Sequence, residues 1–193
     1  MTNSNHLFQP VYPAVKQWQA KYNDQAACQN LATALKPVIE QVRTLNKDII
    51  VLCIGTDRST GDSLGPLVGS ALSKKDIPSD VHIYGSLEQP VHALNLPQIK
   101  HTAFRKSPQA FTIALDASLG NADNIGVINA GYGAIRPGSG VNKQLSPVGD
   151  FHVTATVNVG GYMEYTILQN TRLSLVIKIA DKITDILEFI LQK

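Results

Sequence analysis

Two aspartates stand at positions where a parallel α/β protein can carry out chemistry. Asp62 follows a buried apolar strand and opens the next predicted helix, while Asp116 ends another such strand. If those strands are neighbours, about 5 Å apart, both carboxyl groups converge on one crevice at the carboxyl edge of the sheet. Two carboxylates in a partly desolvated site cannot both ionise freely, so one keeps its proton near neutral pH. One acid and one base are what the attack of water on an amide requires.

The same residues allow other interpretations. Asp62 could cap its helix and Asp116 could bond nearby backbone amides, since aspartate is common at both kinds of position. The pair could also hold a divalent metal that activates water, although we assign no metal ligand and expect no other cofactor. Residues 61–65 match the G-x-S-x-G pattern of serine esterases, but they lie far from the strand and no Asp-x-x-His exists in the chain. The loop 55–61 lacks both phosphate-loop spacing and a following lysine, which disfavours nucleotide binding.

The loops around this crevice supply candidate substrate-binding residues. Gly55 and Gly61 would let the backbone approach a substrate, and amides at the helix start near Ser63 could stabilise an oxyanion. The substrate-binding set that we predict is Gly55, Thr56, Asp57, Gly61, Ser63 and Glu88. His92 and His152 are weaker candidates that could reach the same crevice.

Apolar patterning predicts the elements that hold this crevice. The continuous apolar run at 49–54 is typical of a strand buried on both faces, which belongs to a parallel sheet, and residues 111–115 are predicted as a further strand. Helical spacing marks residues 24–45, which Pro37 should kink, and residues 173–191. The other predicted elements are helices at 63–73, 90–99 and 161–169, strands at 81–85, 125–129 and 153–157, and a long loop at 131–149. This alternation predicts a three-layer α/β/α domain with a mostly parallel sheet.

Composition bounds the class of protein. The 193 residues carry 17 lysines and arginines against 15 acids, with the signs interspersed, so we expect neither a nucleic-acid nor a membrane partner. No apolar run reaches the ~18 residues of a membrane span, and the N-terminus does not read as a signal peptide. We therefore expect a cytoplasmic protein. Residues 1–22 are interpreted as an extension that contains a short helix, and residues 23–193 as the α/β domain.

Long, ordered motifs are distributed along most of the chain. They are Ile54–Leu67, Gly85–Ala93, Ile113–Ala117, Arg136–Lys143, Pro147–Asp150 and Val157–Gly161. Together these motifs resemble the YyaC-type sporulation protein family, over about residues 24–190. That family is similar, more distantly, to the germination protease of spores and to the hydrogenase maturation endopeptidases. The resemblance implies a three-layer α/β fold of the phosphorylase/hydrolase type.

The resemblance also implies catalytic roles. In the germination protease, a Thr-Pro-Asp-Ala-Leu-Gly-Pro stretch and an Asp-Ala after a buried strand carry the proposed catalytic aspartates. Residues 60–66 and 116–117 are similar to those two stretches, which implies an endopeptidase that cleaves a protein or peptide with Asp62 and Asp116. The hydrogenase enzymes combine two acids with a histidine to hold a metal, and no histidine of this chain is assigned to that role. The alternative is a non-catalytic module that binds a peptide on the same fold.

Overall fold

The computed structural model describes residues 17–138 and 146–193. Its elements in chain order are β1 (Gln17–Lys21), α1 (Gln25–Thr44), β2 (Ile49–Cys53), α2 (Leu64–Leu72), β3 (Val81–Tyr84), α3 (Leu96–Lys106), β4 (Phe111–Gly120), β5 (Val127–Tyr132), β6 (Phe151–Val159), α4 (Glu164–Gln169) and α5 (Leu173–Leu191). Single 3-10 turns occupy Gly61–Ser63 and Ala122–Asn124. Strands and helices alternate through most of this order, which confirms the α/β class.

Six strands form one mixed sheet in the order β1-β5-β6-β4-β2-β3. The pairings of β2 with β3, β2 with β4 and β4 with β6 are parallel, whereas β5 runs antiparallel to both β6 and β1. The two strands that precede the aspartates, β2 and β4, are therefore direct neighbours, with Ile49 opposite Phe111 and Cys53 opposite Leu115. The predicted parallel centre is present, and an antiparallel edge extends it.

The side chains of β2 alternate between two apolar cores. Ile49, Val51 and Cys53 contact the larger core, which includes α1, α2 and α5, while Ile50 and Leu52 contact a smaller core that includes α3. All five residues are fully buried. Burying an aliphatic side chain of this size stabilises a fold by about 2 kcal/mol, so β2 ties the helical layers on both faces to the sheet.

No helix in the described ranges is long and apolar enough to cross a membrane.

Residues 17–21 differ from the sequence expectation of a short helix. They form β1, which pairs antiparallel with β5, and residues 1–16 lie outside the described part of the chain. The ring of Trp18 lies 6.2 Å from that of Tyr132 and 6.1 Å from that of Phe151. Polar and apolar residues alternate along β1, and Ala20 is buried, which is the period of a strand. The sheet therefore includes residues 17–21, which the sequence analysis interprets as part of an extension.

The bounds differ most for two other elements. β4 does not end at Asp116 but continues to Gly120, because it pairs with β6 beyond the point where β2 stops. The helix expected at 90–99 begins only at Leu96 and continues to Lys106. Within the predicted loop 131–149, residues 139–145 lie outside the described ranges.

Helix α2 packs very closely on the carboxyl ends of β2 and β3. A Cβ atom added to Gly65 would lie 2.0 Å from the carbonyl oxygen of Ile54, and one added to Gly69 would lie 1.7 Å from that of Gly85. Both obstacles are backbone atoms, which cannot move aside as the end of a flexible side chain can. The position of α2, and of the loop that leads into it, therefore depends on these glycines.

We expect Gly69→Ala to destabilise the protein. Alanine favours a helix over glycine by about 1 kcal/mol, but overpacking against the backbone costs about 3 kcal/mol, so the net loss should be about 2 kcal/mol. The measurement is the free energy of unfolding in urea. Gly160→Ala is the control, because its added Cβ would meet its nearest atom at 3.4 Å. Equal stability of the two variants would contradict this account of α2.

Candidate active site

A cleft of about 580 Å³ opens at the carboxyl edge of the parallel strands. Asp62 lies in the 3-10 turn before α2, and Asp116 lies on β4 directly after Leu115, the last residue that pairs with β2. Both aspartates line the cleft. The adjacency of β2 and β4 thus brings together two residues that are far apart in the sequence.

The loop that leaves β2 folds back on itself to place Asp62. Gly55 adopts φ +143°, a conformation open to glycine, and its amide donates to the carbonyl oxygen of Val91 at 2.8 Å. A Cβ at Gly55 would lie 2.0 Å from the carbonyl oxygen of Asp62. The amide of Thr56 donates to that same oxygen at 3.0 Å. The backbone of Asp62 is therefore held against the end of β2.

The electrostatics of the two aspartates differ from those of exposed carboxylates. Burial raises the pKa of Asp62 to about 6, against the opposing effect of a hydrogen bond from the Thr56 amide. Burial, with the negative charge of Asp62 in addition, raises the pKa of Asp116 well above its usual value, and the Ala117 amide opposes this. Asp116 therefore holds its proton more strongly than Asp62 does, and Asp62 is the first of the two to ionise as the pH rises.

Three of the predicted substrate-binding residues line this cleft, namely Gly55, Thr56 and Asp57. Asp57 is exposed, and its Oδ1 lies 3.5 Å from the hydroxyl of Thr56. That hydroxyl also accepts the amide of Arg58 at 3.3 Å. These contacts order the turn of the loop that faces the cleft.

The other three predicted residues lie outside the cleft lining. Gly61 is buried against α4, and Glu88 lies on the surface, where its carboxylate accepts the hydroxyl of Ser70 at 3.4 Å. Ser63 is buried, and both its amide and its hydroxyl donate to the carbonyl oxygen of Thr60, at 3.3 and 2.7 Å. Neither group of Ser63 is left for an oxyanion or for nucleophilic attack, which argues against a serine esterase.

Of the two candidate histidines, His92 lines the cleft, whereas His152 is not among the lining residues. The amide of His92 donates to Asn95 Oδ1 at 2.8 Å, and its Nδ1 accepts the amide of Leu94 at 3.2 Å. The ring proton is therefore on Nε2. Nδ1 of His152 lies 3.0 Å from the carbonyl oxygen of Gly133.

Sequence reasoning missed several residues of the cleft. Ser59 is 7% exposed, and its hydroxyl has no hydrogen-bond partner in the described ranges, although the residue lines the cleft. Thr154 lies opposite Asp116 in the pairing of β4 with β6, and Arg136 and Tyr165 come from segments distant in sequence. The alternation of residues along β6 could have indicated Thr154. No local sequence pattern marks Ser59, Arg136 or Tyr165 as residues of the cleft.

The described residues do not assemble the metal-binding set of two acids and a histidine. Among residues 17–138 and 146–193, no three side chains of histidine, cysteine, aspartate or glutamate lie close enough to hold a metal ion. Asp62 and Asp116 line the cleft as a pair of carboxyl groups, and such a pair can act as an acid and a base.

The fold places the protein among α/β proteins, and it is shared with a solved maturation protease. The structure is similar to the crystal structure of a NiFe hydrogenase maturation protease, HycI from Thermococcus kodakarensis KOD1, with a TM-score of 0.54 and 19% identity over 81% of this chain and 99% of that chain. At this identity the similarity shows a common fold.

Sequence comparison gives the family. Residues 19–186 match the family described as "Protein of unknown function (DUF1256)", and the chain belongs to it. The chain is 43% identical over 171 residues to the "Uncharacterized protein YyaC" of Bacillus subtilis (strain 168). The aligned region covers 89% of this chain and 82% of that protein. The relation inferred from the motifs is thereby confirmed.

Replacing Asp62 should make stability less sensitive to pH. The folded pKa of about 6 lies above the usual 3.8, so the ionising carboxyl destabilises the fold as pH rises through that window. Asp62→Asn removes this loss. Above pH 7 the free energy of unfolding of the variant should therefore exceed that of the wild type by up to about 3 kcal/mol, and below pH 4 this pH-dependent gain should be small. The measurement is urea unfolding from pH 4 to pH 8. The exposed Asp123→Asn is the control, and a difference that stays constant with pH would contradict the burial of Asp62.

Proposed function

We propose that this protein is a peptidase of the spore germination protease type, which hydrolyses a peptide bond with Asp62 and Asp116. The observation that carries the proposal is that two desolvated carboxyl groups with raised pKa values line one cleft. Such a pair supplies a base and an acid at the same pH. The fold shared with a protein named as a maturation protease supports the proposal, as does a cleft large enough for a polypeptide segment.

The pKa order supports a separate role for each aspartate. Ionised Asp62 takes a proton from water while the water oxygen bonds to the carbonyl carbon of the substrate. Protonated Asp116 gives its proton to the carbonyl oxygen, so the tetrahedral intermediate is neutral and no separate oxyanion donor is needed. In the second step Asp62 gives its proton to the amide nitrogen, the C–N bond breaks, and Asp116 recovers its proton from the hydroxyl group. Both aspartates then return to their starting states.

Replacing either aspartate should abolish cleavage. Asp62→Asn removes the base and Asp116→Asn removes the acid, and each change should lower the cleavage rate by at least about 100-fold. The assay incubates the purified chain with a mixed library of proteins and peptides and reads the products by mass spectrometry. Asp123→Asn, at an exposed position outside the cleft, should cleave as the wild type does.

The same assay separates the alternatives. Cleavage that persists in both variants would contradict the two-aspartate mechanism. Loss of cleavage on addition of a chelator would indicate a metal-dependent maturation peptidase. Binding of peptides without any product, in the wild type as in the variants, would indicate a peptide-binding module.

The pH dependence of cleavage should follow the ionisation of Asp62. Below its pKa of about 6 the base becomes protonated, so kcat/KM should fall about tenfold for each pH unit on the acid side. The rate should decline again at high pH, when Asp116 loses its proton. Measuring kcat/KM from pH 4 to pH 9 on one library-derived peptide checks this. A rate that increases steadily towards pH 4 would contradict the assignment of Asp62 as the base.

A further inference from the structure

Exposed apolar side chains gather at the mouth of the cleft. Leu94 is 74% exposed and Tyr165 is 57% exposed, and both line the cleft that contains the aspartates. Tyr162 and Met163, 90% and 61% exposed, lie just before α4 in the same region of the chain. Single exposed apolar residues are ordinary, but a cluster of them beside a cleft marks a surface that a ligand covers.

The two lining residues stand on opposite sides of the sheet edge. Leu94 lies on the segment that leads into α3, which packs on the smaller core. Tyr165 lies on α4, whose Leu168 packs against the larger core on the other face. Asp62 and Asp116 line the same cleft. A side chain that entered this cleft would therefore have an apolar group available on each side.

Hydrogen bonds hold both residues in place despite their exposure. The amide of Leu94 donates to Nδ1 of His92 at 3.2 Å, which fixes the turn on which Leu94 stands. The hydroxyl of Tyr165 accepts Nε2 of Gln169 at 3.0 Å, one helical turn further along α4. A segment that is already ordered loses less conformational freedom when a ligand binds, which favours binding.

We infer that Leu94 and Tyr165 form the specificity subsite of the cleft, which receives a bulky apolar side chain of a polypeptide next to the bond that is cleaved. This inference rests on the proposed peptidase function. A leucine, methionine or phenylalanine side chain of the substrate would bury a large apolar area against Leu94 and Tyr165. An alanine or serine side chain of the substrate would bury little. A pocket of this kind discriminates between such residues by about 10- to 200-fold.

The first test compares cleavage of paired peptides. A peptide from the library is synthesised with leucine or with alanine beside the cleaved bond, and kcat/KM is measured for both. The wild type should prefer leucine at least tenfold, while Leu94→Ser and Tyr165→Ser should lower this preference towards onefold. Leu173→Ser is the control, because Leu173 is 53% exposed but does not line the cleft. An unchanged preference in both cleft variants would overturn the inference.

A second test does not need cleavage. Two fluorescent nonapeptide pools, randomised except for a central leucine or a central serine, are titrated against a chain carrying both Asp62→Asn and Asp116→Asn. The leucine pool should bind at least tenfold more tightly, and Leu94→Ser or Tyr165→Ser should remove this difference. If wild-type cleavage is absent but this preference holds, the subsite stands and the peptidase proposal fails. If cleavage occurs and both pools bind equally, the subsite fails and the peptidase proposal stands.

Discussion

The close contact between Gly55 and the backbone of Asp62 is the constraint on which the site depends. The carbonyl oxygen of Asp62 occupies space that any side chain at Gly55 would need, and it accepts the amide of Thr56. The loop after β2 is therefore closed by backbone interactions at both ends. Since α2 begins immediately after this loop and packs on the sheet through glycines, the aspartate, the loop and the helix are positioned as one unit.

This positioning is unfavourable for the carboxyl groups themselves. A carboxylate that leaves water without an opposing charge destabilises the fold, which is why burial raises the pKa of both aspartates. The hydroxyl of Ser59, buried on the same cleft without a partner in the described ranges, adds a second cost of this kind. The apolar strands β2 and β4 offset these costs because they are buried on both faces. Groups held in unfavourable surroundings by a stable core are typical of sites that act on a ligand.

Much of the sheet could be predicted from the sequence because its central strands are apolar on both faces. That pattern indicated β2 and β4, and with them the positions of the two aspartates. The short helix expected within residues 1–22 is not what residues 17–21 form: they are β1, whose partner β5 lies more than a hundred residues further along the chain. Whether these residues form a strand or a helix is decided by tertiary contacts, which local sequence patterns do not reveal. Ser63 and Glu88 were selected because they follow predicted strands, and neither is among the residues that line the cleft.

The shape of the cleft follows from the direction in which the chain leaves each strand. The loop after β2 leads to α2 on the face of the larger core, and the segment after β3 leads to α3 on the face of the smaller core. Connections that diverge to opposite faces leave a crevice between them at the carboxyl edge of the sheet. Asp116, on β4 beyond the end of β2, then forms part of the floor of that crevice rather than pairing further with a neighbour on that side. Asp62 and Leu94 reach the cleft from the connections after β2 and after β3, while Tyr165 reaches it from α4, after β6. The residues that would react and the residues that would select a substrate thus come from different connections of one sheet.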